Sequence, residues 1–258
     1  MIYTQPIAAL LALAILVIPL TASAQVNMER FRKGADSDGV QGSAELYFSN
    51  STGNTDLLSG GASARAGWRK GPRLLLLVAD ASVGKQRDDT TINRGFAHLR
   101  LTRDLKPRLA GELFTQHGYD KFSKLSARTL VGAGPRFTLV QREVWDMHLG
   151  IAYMLEREVL NVPPGGPDDD LEYAHRMSAY LAVRADTAER LSLTNTVYLQ
   201  PRIDEVDDMR VLEEFSARLG VAERLGFKIS LSVRYDGAPP VGVKEMDTTL
   251  TNRLVWDF

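Results

Sequence analysis

The sequence contains no cysteine, which excludes disulfide bonds, zinc–thiolate sites and thiol nucleophiles. A secreted protein of this size without disulfides must rely on its own hydrogen-bonded architecture. A charge excess is also missing, because 31 lysines and arginines stand against 32 aspartates and glutamates. Without a basic excess, a nucleic-acid partner has no electrostatic support. No stretch sustains the apolar period of an amphipathic helix, so we expect an all-β protein.

The apolar run at residues 7–20 has the length of a signal peptide and is short for a membrane-spanning helix. The small residues at 22–24 predict cleavage between Ala24 and Gln25. No lysine or arginine precedes the run, which is atypical, and an uncleaved anchor is the alternative. The chain thus divides into a signal peptide at 1–24, a polar lead-in at 25–40 and a β-domain at 41–258.

Alternating apolar and polar residues predict about twelve antiparallel strands in the β-domain. The pattern is clearest at 145–155 and 226–236, where every second residue is apolar. Such segments form strands with one apolar and one polar face. The predicted strands span 41–49, 56–69, 73–84, 92–103, 108–118, 124–139, 145–158, 171–185, 190–202, 210–222, 226–236 and 247–258.

The last predicted strand indicates a transmembrane barrel. Leu250, Leu254, Trp256 and Phe258 lie on one face of it, and the sequence ends on Phe258. The last strand of an outer-membrane barrel must pair with the first and turn its outward face to lipid. We therefore interpret Leu254, Trp256 and Phe258 as a C-terminal strand signal that the barrel assembly machinery would recognise.

The connections between the predicted strands alternate in length. The even-to-odd connections are short, as at 70–72, and the odd-to-even ones tend to be longer, as at 85–91 and 160–170. Bacterial barrels have short turns at the periplasmic rim and long loops at the other. An even number of strands places both the N- and C-termini on the periplasmic side. Tryptophans fall at strand ends on that rim, as an aromatic girdle does: Trp68, Trp145 and Trp256.

The competing fold is a soluble twelve-strand sandwich or a closed lipocalin-like barrel with its apolar residues inside. Alternation alone does not say which face points inward. The signal peptide, the loop asymmetry and Phe258 together favour the membrane barrel, in contact with outer-membrane lipid.

An ordered set of short motifs also carries a family resemblance. The motifs are GSAEL at 42–46, GNTD at 53–56, FAHLR at 96–100, ELFTQ at 112–116 and GAGPR at 132–136. The set resembles the YdiY-like salt-induced outer-membrane proteins, a family of unknown function in Gram-negative bacteria. The resemblance covers about 42–258 and implies a barrel in the outer membrane, but it implies no established activity. Pro135 lacks a ladder donor inside a strand, which favours a bulge and leaves the register after Gly134 open.

If the apolar faces meet lipid, the lumen receives charged side chains of both signs. A twelve-strand barrel has a backbone radius of about 12 Å, so long inward side chains would fill much of it. One interpretation is a cross-lumen network of arginine–carboxylate pairs. The other is a narrow arginine-lined path that favours small anions. The predicted luminal residues are Arg65, His98, Arg100, Glu112, Arg128, His148, Glu156, Arg176, Arg184, Glu214, Arg218, Arg234 and Arg253.

The sequence predicts no catalytic, cofactor-binding or metal-binding residue. Some twelve-strand outer-membrane barrels are lipid hydrolases with a serine and a histidine on the lipid-facing wall, and His117 and His175 fall on the outward parity. No nucleophile-elbow motif places a serine beside them. No two histidines stand at ligand spacing. The acidic loops at 161–170 and 204–208 are interpreted as solvated, with divalent-cation binding as the alternative.

These observations predict a non-enzymatic protein of the bacterial outer membrane. Its role would be structural, related to salt stress, or that of a narrow channel for small solutes. A lipid hydrolase and a soluble periplasmic protein that binds an apolar ligand are the alternatives.

Overall fold

The alternating segments form twelve strands in the computed structural model, which describes residues 38–51, 57–86, 89–188 and 190–258. The predicted cleavage site between Ala24 and Gln25, and the lead-in up to residue 37, lie outside these residues. The strands are β1 Gly39–Ser51, β2 Leu57–Lys70, β3 Arg73–Gln86, β4 Asp89–Lys106, β5 Leu109–Asp120, β6 Leu125–Gln141, β7 Trp145–Leu160, β8 Leu171–Ala188, β9 Leu191–Pro201, β10 Met209–Gly220, β11 Leu225–Asp236 and β12 Met246–Asp257.

Each strand pairs antiparallel with its neighbours in sequence, and β12 pairs with β1, so the sheet closes into a barrel. The predicted twelve-strand antiparallel barrel is therefore confirmed. A short 3-10 helix at Lys121–Ser123 connects β5 to β6. Within the described residues, no helix is long and apolar enough to cross a membrane.

In most strands the apolar face points outward and the polar face points inward, whereas β3 is apolar on both faces and buries Leu74, Leu76 and Val78. In β4, Leu99 and Leu101 are 40% and 41% exposed, whereas Arg100 and Thr102, which alternate with them, are each 3% exposed. A soluble barrel with an apolar ligand cavity requires the opposite facing. The polar interior therefore favours a barrel whose outer wall meets lipid.

The two rims of the barrel differ in the length of their connections. The short-turn rim carries the even-to-odd turns and both ends of the described barrel, and the long-loop rim carries the loops 161–170, 202–208 and 237–245. The predicted loop at 85–91 is wrong, because β3 extends to Gln86 and β4 begins at Asp89. The polar residues of segment 85–91 continue both strands beyond the apolar band, so the hairpin does not end where the apolar residues end.

The seam between β1 and β12 is shorter than the other strand pairings. It runs from Ser43 opposite Asp257 to Leu46 opposite Leu254. Phe258 extends it at the short-turn rim, with two backbone hydrogen bonds of 3.0 Å to Gly42. Among the described residues, the rest of β1 pairs only with β2.

The predicted bulge at Pro135 is also wrong. Ala133 pairs with Tyr153 and Arg136 with Gly150, so β6 and β7 keep one register on both sides of the proline. The proline still interrupts the ladder, because residues 134 and 135 have no assigned partner on β7. The two register shifts between β6 and β7, which the sequence did not indicate, lie between Leu125 and Ala127 and between Thr138 and Val140.

Gly134 marks a close approach of the backbones of β6 and β7. A Cβ atom at this position would overlap the carbonyl oxygen of Ile151. We expect Gly134→Ala to lower the free energy of unfolding by about 1–3 kcal/mol, the range for overpacking. Gly67→Ala is the control, because its Cβ would lie no closer than 3.9 Å to its neighbours. Urea unfolding in detergent compares the two variants, and equal stability would contradict the close approach.

Candidate functional site

The inner wall of the barrel carries the charged side chains whose parity predicted an inward direction. His98, Arg100, Glu112, Arg128, Glu156, Arg176 and Glu214 are buried inside it. The other predicted luminal residues line two cavities: Arg65, His148, Arg184 and Arg218 in the first, and Arg234 and Arg253 in the second. The buried charges form three groups.

The largest group centres on the carboxylate of Glu156 in β7, which accepts hydrogen bonds from three arginines. Arg128 Nε donates to it at 2.7 Å, Arg176 Nε at 3.1 Å and Arg210 at 2.5 Å. These arginines come from β6, β8 and β10. A single carboxylate therefore connects side chains of β6, β8 and β10 at one point in the lumen.

Further acidic groups balance the arginines around Glu156. Arg210 also donates to Glu158 at 2.8 Å and to Asp236 at 3.0 Å. Arg176 donates to Asp208 at 2.7 Å. Charge-assisted pairs of this kind are the strong hydrogen bonds of a buried site. We call this group the Glu156 network: Arg128, Glu156, Glu158, Arg176, Asp208, Arg210 and Asp236.

A second group surrounds Glu112 of β5. Arg100 donates to the Glu112 carboxylate at 3.1 Å, and the Tyr180 hydroxyl donates to it at 3.0 Å from β8. Arg136 Nε reaches the same hydroxyl at 3.2 Å. The Arg100 guanidinium also lies over the ring of Phe114, 5.1 Å from its centroid. These contacts fill the middle of the barrel from β4 across to β8.

The third group, the Glu45 cluster, consists of Glu45, Asp80, Lys228 and Arg253. Lys228 Nζ forms a buried ion pair with Glu45. Arg253 lies 3.6 Å from Glu45 and 3.3 Å from Asp80. The cluster thus ties β11 and β12 to β1 and β3 across the short seam.

Several residues of these groups were not among the predicted luminal charges. They are Glu45, Asp80, Arg136, Glu158, Asp208, Lys228, Arg210 and Asp236. Most of them occupy the same alternate positions of a strand as residues that were predicted to be luminal, as Lys228 does with Arg234. The alternation rule, applied to every charged residue of a strand, therefore predicts them as well. Asp208 belongs to a loop, where strand parity gives no signal.

The Glu45 cluster lies between two luminal cavities. The short-turn cavity has a volume of about 200 Å³ and is lined by Glu45 and Lys228. The long-loop cavity has a volume of about 350 Å³ and is lined by Asp80 and Arg253. The cavities share no lining residue. The interior is therefore divided rather than open as one wide pore.

Basic side chains outnumber acidic ones in both cavities. The short-turn cavity is lined by the basic Arg65, Arg69, Arg136, Arg184, Arg218 and Lys228 and by the acidic Glu45, Asp104, Asp146 and Asp257. The long-loop cavity is lined by the basic Arg94, Arg128, Arg234 and Arg253 and by the acidic Asp80, Asp120 and Glu214. Low-dielectric walls concentrate the field of such linings, which attracts anions.

The loop 237–245 reaches across the mouth at the long-loop rim. Lys124 Nζ donates to the Val241 carbonyl at 2.6 Å, and the Val241 N–H donates to the Asp168 carboxylate at 3.0 Å. A third cavity of about 210 Å³ lies beneath this contact and is mainly acidic. No group of three or more potential metal ligands occurs in the part of the chain described.

The acidic loop 204–208 is only partly solvated, contrary to the prediction. Asp208 turns into the Glu156 network and is buried. Asp204 remains at the surface, where a hydrogen bond from Arg202 lowers the pKa of its carboxyl. The same bond raises the pKa of Arg202. This pair is therefore lost only when the pH falls below the ordinary range of an aspartate.

The outward histidines contact groups other than serine. His117 Nδ1 lies 2.8 Å from the Thr129 hydroxyl, and His175 Nδ1 lies 2.5 Å from the Tyr153 hydroxyl. A lipid hydrolase of the kind considered above needs a serine within hydrogen-bond reach of its histidine. Among the described residues, neither histidine has that partner.

An outward apolar face and a charged lumen, in a sheet closed on itself, define a β-barrel of the outer-membrane type. Solved outer-membrane proteins share this fold, and the following three are among them. An outer membrane channel from Pseudomonas putida F1 is 12% identical, with 91% of this chain and 100% of that chain covered and a TM-score of 0.53. The translocator domain of autotransporter NalP from Neisseria meningitidis is 11% identical, with coverages of 90% and 92% and a TM-score of 0.51. The NanC porin is 10% identical, with coverages of 84% and 98% and a TM-score of 0.51.

The chain belongs to the family described as "Protein of unknown function, DUF481", whose model matches residues 44–258. This match confirms the family indicated by the ordered motifs. No curated protein matches the sequence. At these identities, the solved structures support the fold and leave the function to be argued from the lumen.

Proposed function

We propose that the protein is a non-enzymatic outer-membrane barrel whose lumen is a narrow path for small solutes, with a preference for small anions. The observation that carries this proposal is the basic excess in both luminal cavities. The Glu45 cluster between them is held by charge, so a passing ion can exchange partners with it. The path would be narrow, because the Glu156 network and the Glu112 group occupy much of the interior.

The proposed location rests on the outward apolar face, and the proposed orientation rests on the difference between the two rims. We propose export through the periplasm by the predicted signal peptide, and contact of the outward apolar face with outer-membrane lipid. The short-turn rim and both ends of the barrel would face the periplasm. The strand signal Leu254, Trp256 and Phe258 lies in or next to β12, with exposed side chains that the assembly machinery can reach. A role in salt stress rests on the family resemblance alone.

A planar-bilayer experiment tests the anion preference. Protein that is recovered from the outer membrane and shifts its gel mobility on boiling is reconstituted under a tenfold KCl gradient. We expect discrete conductance steps and a reversal potential whose sign shows a higher permeability for chloride than for potassium. A folded protein without conductance would leave a purely structural role.

Arg184 provides the matched test of selectivity. Its guanidinium lines the short-turn cavity and pairs with Asp186 at 2.6 Å. We expect Arg184→Gln to move the reversal potential toward zero, because it removes one positive charge from the path. Arg224→Gln removes the same charge from an exposed turn and should change nothing. Equal shifts in the two variants would show that selectivity does not arise in the cavity.

A further inference from the structure

The long-loop cavity contains buried hydrogen-bond donors that have no partner within the described protein. They are the hydroxyls of Ser230 and Ser232 and the Nε atoms of Arg234 and Arg253. All four groups come from β11 and β12 and line this one cavity. Ser230 is only 4% exposed. Buried donors cost free energy unless they are satisfied, so this group requires water or a ligand.

Two of the four arginines in this cavity also lack an ion-pair partner among the described residues. Arg128 and Arg253 are paired, the first in the Glu156 network and the second with Asp80. Arg94 Nε donates to the Ser82 hydroxyl, and neither Arg94 nor Arg234 pairs with a described carboxylate. The cavity therefore holds two guanidinium groups that form no ion pair within the described residues.

Carboxylates lie near these two guanidinium groups without forming an ion pair with either. Asp120 lies opposite Arg94 on β5, and its Oδ1 atom accepts the backbone N–H groups of Phe122 and Ser123. Asp247 lies opposite Arg234 on β12 and is exposed. Glu214 also lines the cavity and, like Asp120 and Asp247, attracts Arg234 from beyond ion-pair distance.

The cavity also reaches the part of the wall where β1 and β12 do not pair. The seam ends at Leu46 opposite Leu254. Beyond it, Tyr47, Phe48 and Leu250 line the cavity, although Phe48 and Leu250 are 72% and 65% exposed on the outer surface. A polar pocket thus meets an apolar border at the membrane side.

We propose that the long-loop cavity binds an oxyanion, a phosphate or carboxylate group, either free or as the headgroup of a lipid that enters at the seam. Arg94 and Arg234 supply the charge, and the hydroxyls of Ser230 and Ser232 donate hydrogen bonds. Planar guanidinium groups suit two-point contact with such oxyanions. The site would give the proposed anion preference a specific binding point in the lumen. A free anion would reach it along the proposed path, so this route rests on the proposed function, whereas binding itself does not require conduction.

Isothermal titration calorimetry on the refolded full barrel in a non-ionic detergent tests the site. The probes are inorganic phosphate and dihexanoyl phosphatidic acid, both at low ionic strength. We expect saturable binding of at least one probe, and a loss of affinity of about tenfold or more in Arg234→Met. Arg224→Met, which removes an exposed arginine from a turn, should bind as the parent does. Heat-modifiable mobility verifies that each variant is folded.

A second variant keeps the test valid if Arg234→Met does not fold. The double variant Ser230→Ala, Ser232→Ala removes no charge and should weaken the same probe severalfold. Phosphate binding that both variants weaken supports a free anion, and binding of phosphatidic acid alone supports a lipid headgroup. Binding of neither probe, or binding that the variants leave unchanged, overturns the site, and the donors are then satisfied by water. Binding without conductance would contradict the proposed channel but support the oxyanion site. Conductance without binding would support the channel but contradict the oxyanion site.

Discussion

Glu156→Gln is expected to lower the free energy of unfolding by about 3–5 kcal/mol, the cost of breaking a buried ion pair from one side. Glu156 is the acceptor shared by Arg128, Arg176 and Arg210. Glutamine has nearly the same shape but no charge, so the packing is retained while the three guanidinium groups lose their common counter-ion. Glu158, Asp208 and Asp236 still match the three charges in number, but Arg128 loses its 2.7 Å hydrogen bond and keeps a longer contact of 3.5 Å with Glu158, which Arg210 shares.

Urea unfolding of the refolded barrel, followed by tryptophan fluorescence, measures this loss. Glu205→Gln is the control, because Glu205 carries the same charge on an exposed part of the loop 202–208. The double variant Arg128→Gln, Glu156→Gln should recover part of the stability, since it also removes the guanidinium group whose shortest hydrogen bonds are to the Glu156 carboxylate. An unchanged midpoint in Glu156→Gln would contradict a supporting role for the network.

Strand number and facing were predictable because they depend on local alternation. The segment 226–236 shows this, since its apolar residues point outward and Lys228, Ser230 and Arg234 line the interior, as their parity requires. Polar composition was a poorer guide to strand ends. At 85–91 it predicted a loop, although β3 and β4 continue to pair there, with Lys85 opposite Thr90.

The partners of the luminal charges could not be predicted in the same way. Arg210 and Glu156 are 54 residues apart, and Lys228 and Glu45 are 183 apart. Alternation says that such side chains point inward, but the choice of partner depends on stagger and on how far each side chain reaches across the lumen. The cavities depend on these choices, because they occupy the space that the paired side chains leave.

Pro135 illustrates the limit of a local rule. The missing N–H predicted a bulge, yet the register around Pro135 is unchanged. The backbones of β6 and β7 lie close together at Gly134 although the ladder is interrupted there, and a register shift falls between Thr138 and Val140 instead. Contacts between strands, which a single sequence does not display, decided where the irregularity lies.

Removal of Phe258 is expected to destabilise barrel closure by about 2–3 kcal/mol. Its two backbone hydrogen bonds to Gly42 contribute about 1 kcal/mol each. Its ring is 64% exposed, so its apolar contact contributes only about 0.5–1 kcal/mol, roughly a third of the value for full burial. The ring lies against Gly42, where a Cβ atom would overlap it. These contacts extend a seam whose register otherwise runs only from Ser43 to Leu46 on β1. We therefore expect little folded, heat-modifiable barrel from the shortened chain.

Two further variants separate the contributions of the ring and the backbone. Phe258→Ala keeps both hydrogen bonds and should lose only the apolar part, whereas Phe122→Ala removes an exposed ring from the loop after β5 and should have no effect. The yield of heat-modifiable protein and the urea midpoint should rank the parent first, Phe258→Ala second and the shortened chain last. If refolding in detergent is normal but the shortened chain fails to reach the outer membrane in cells, Phe258 acts in recognition by the assembly machinery. A defect in both settings would instead show that the seam itself depends on the Phe258–Gly42 contact, because no other backbone bond extends the β1–β12 register at the short-turn rim among the described residues.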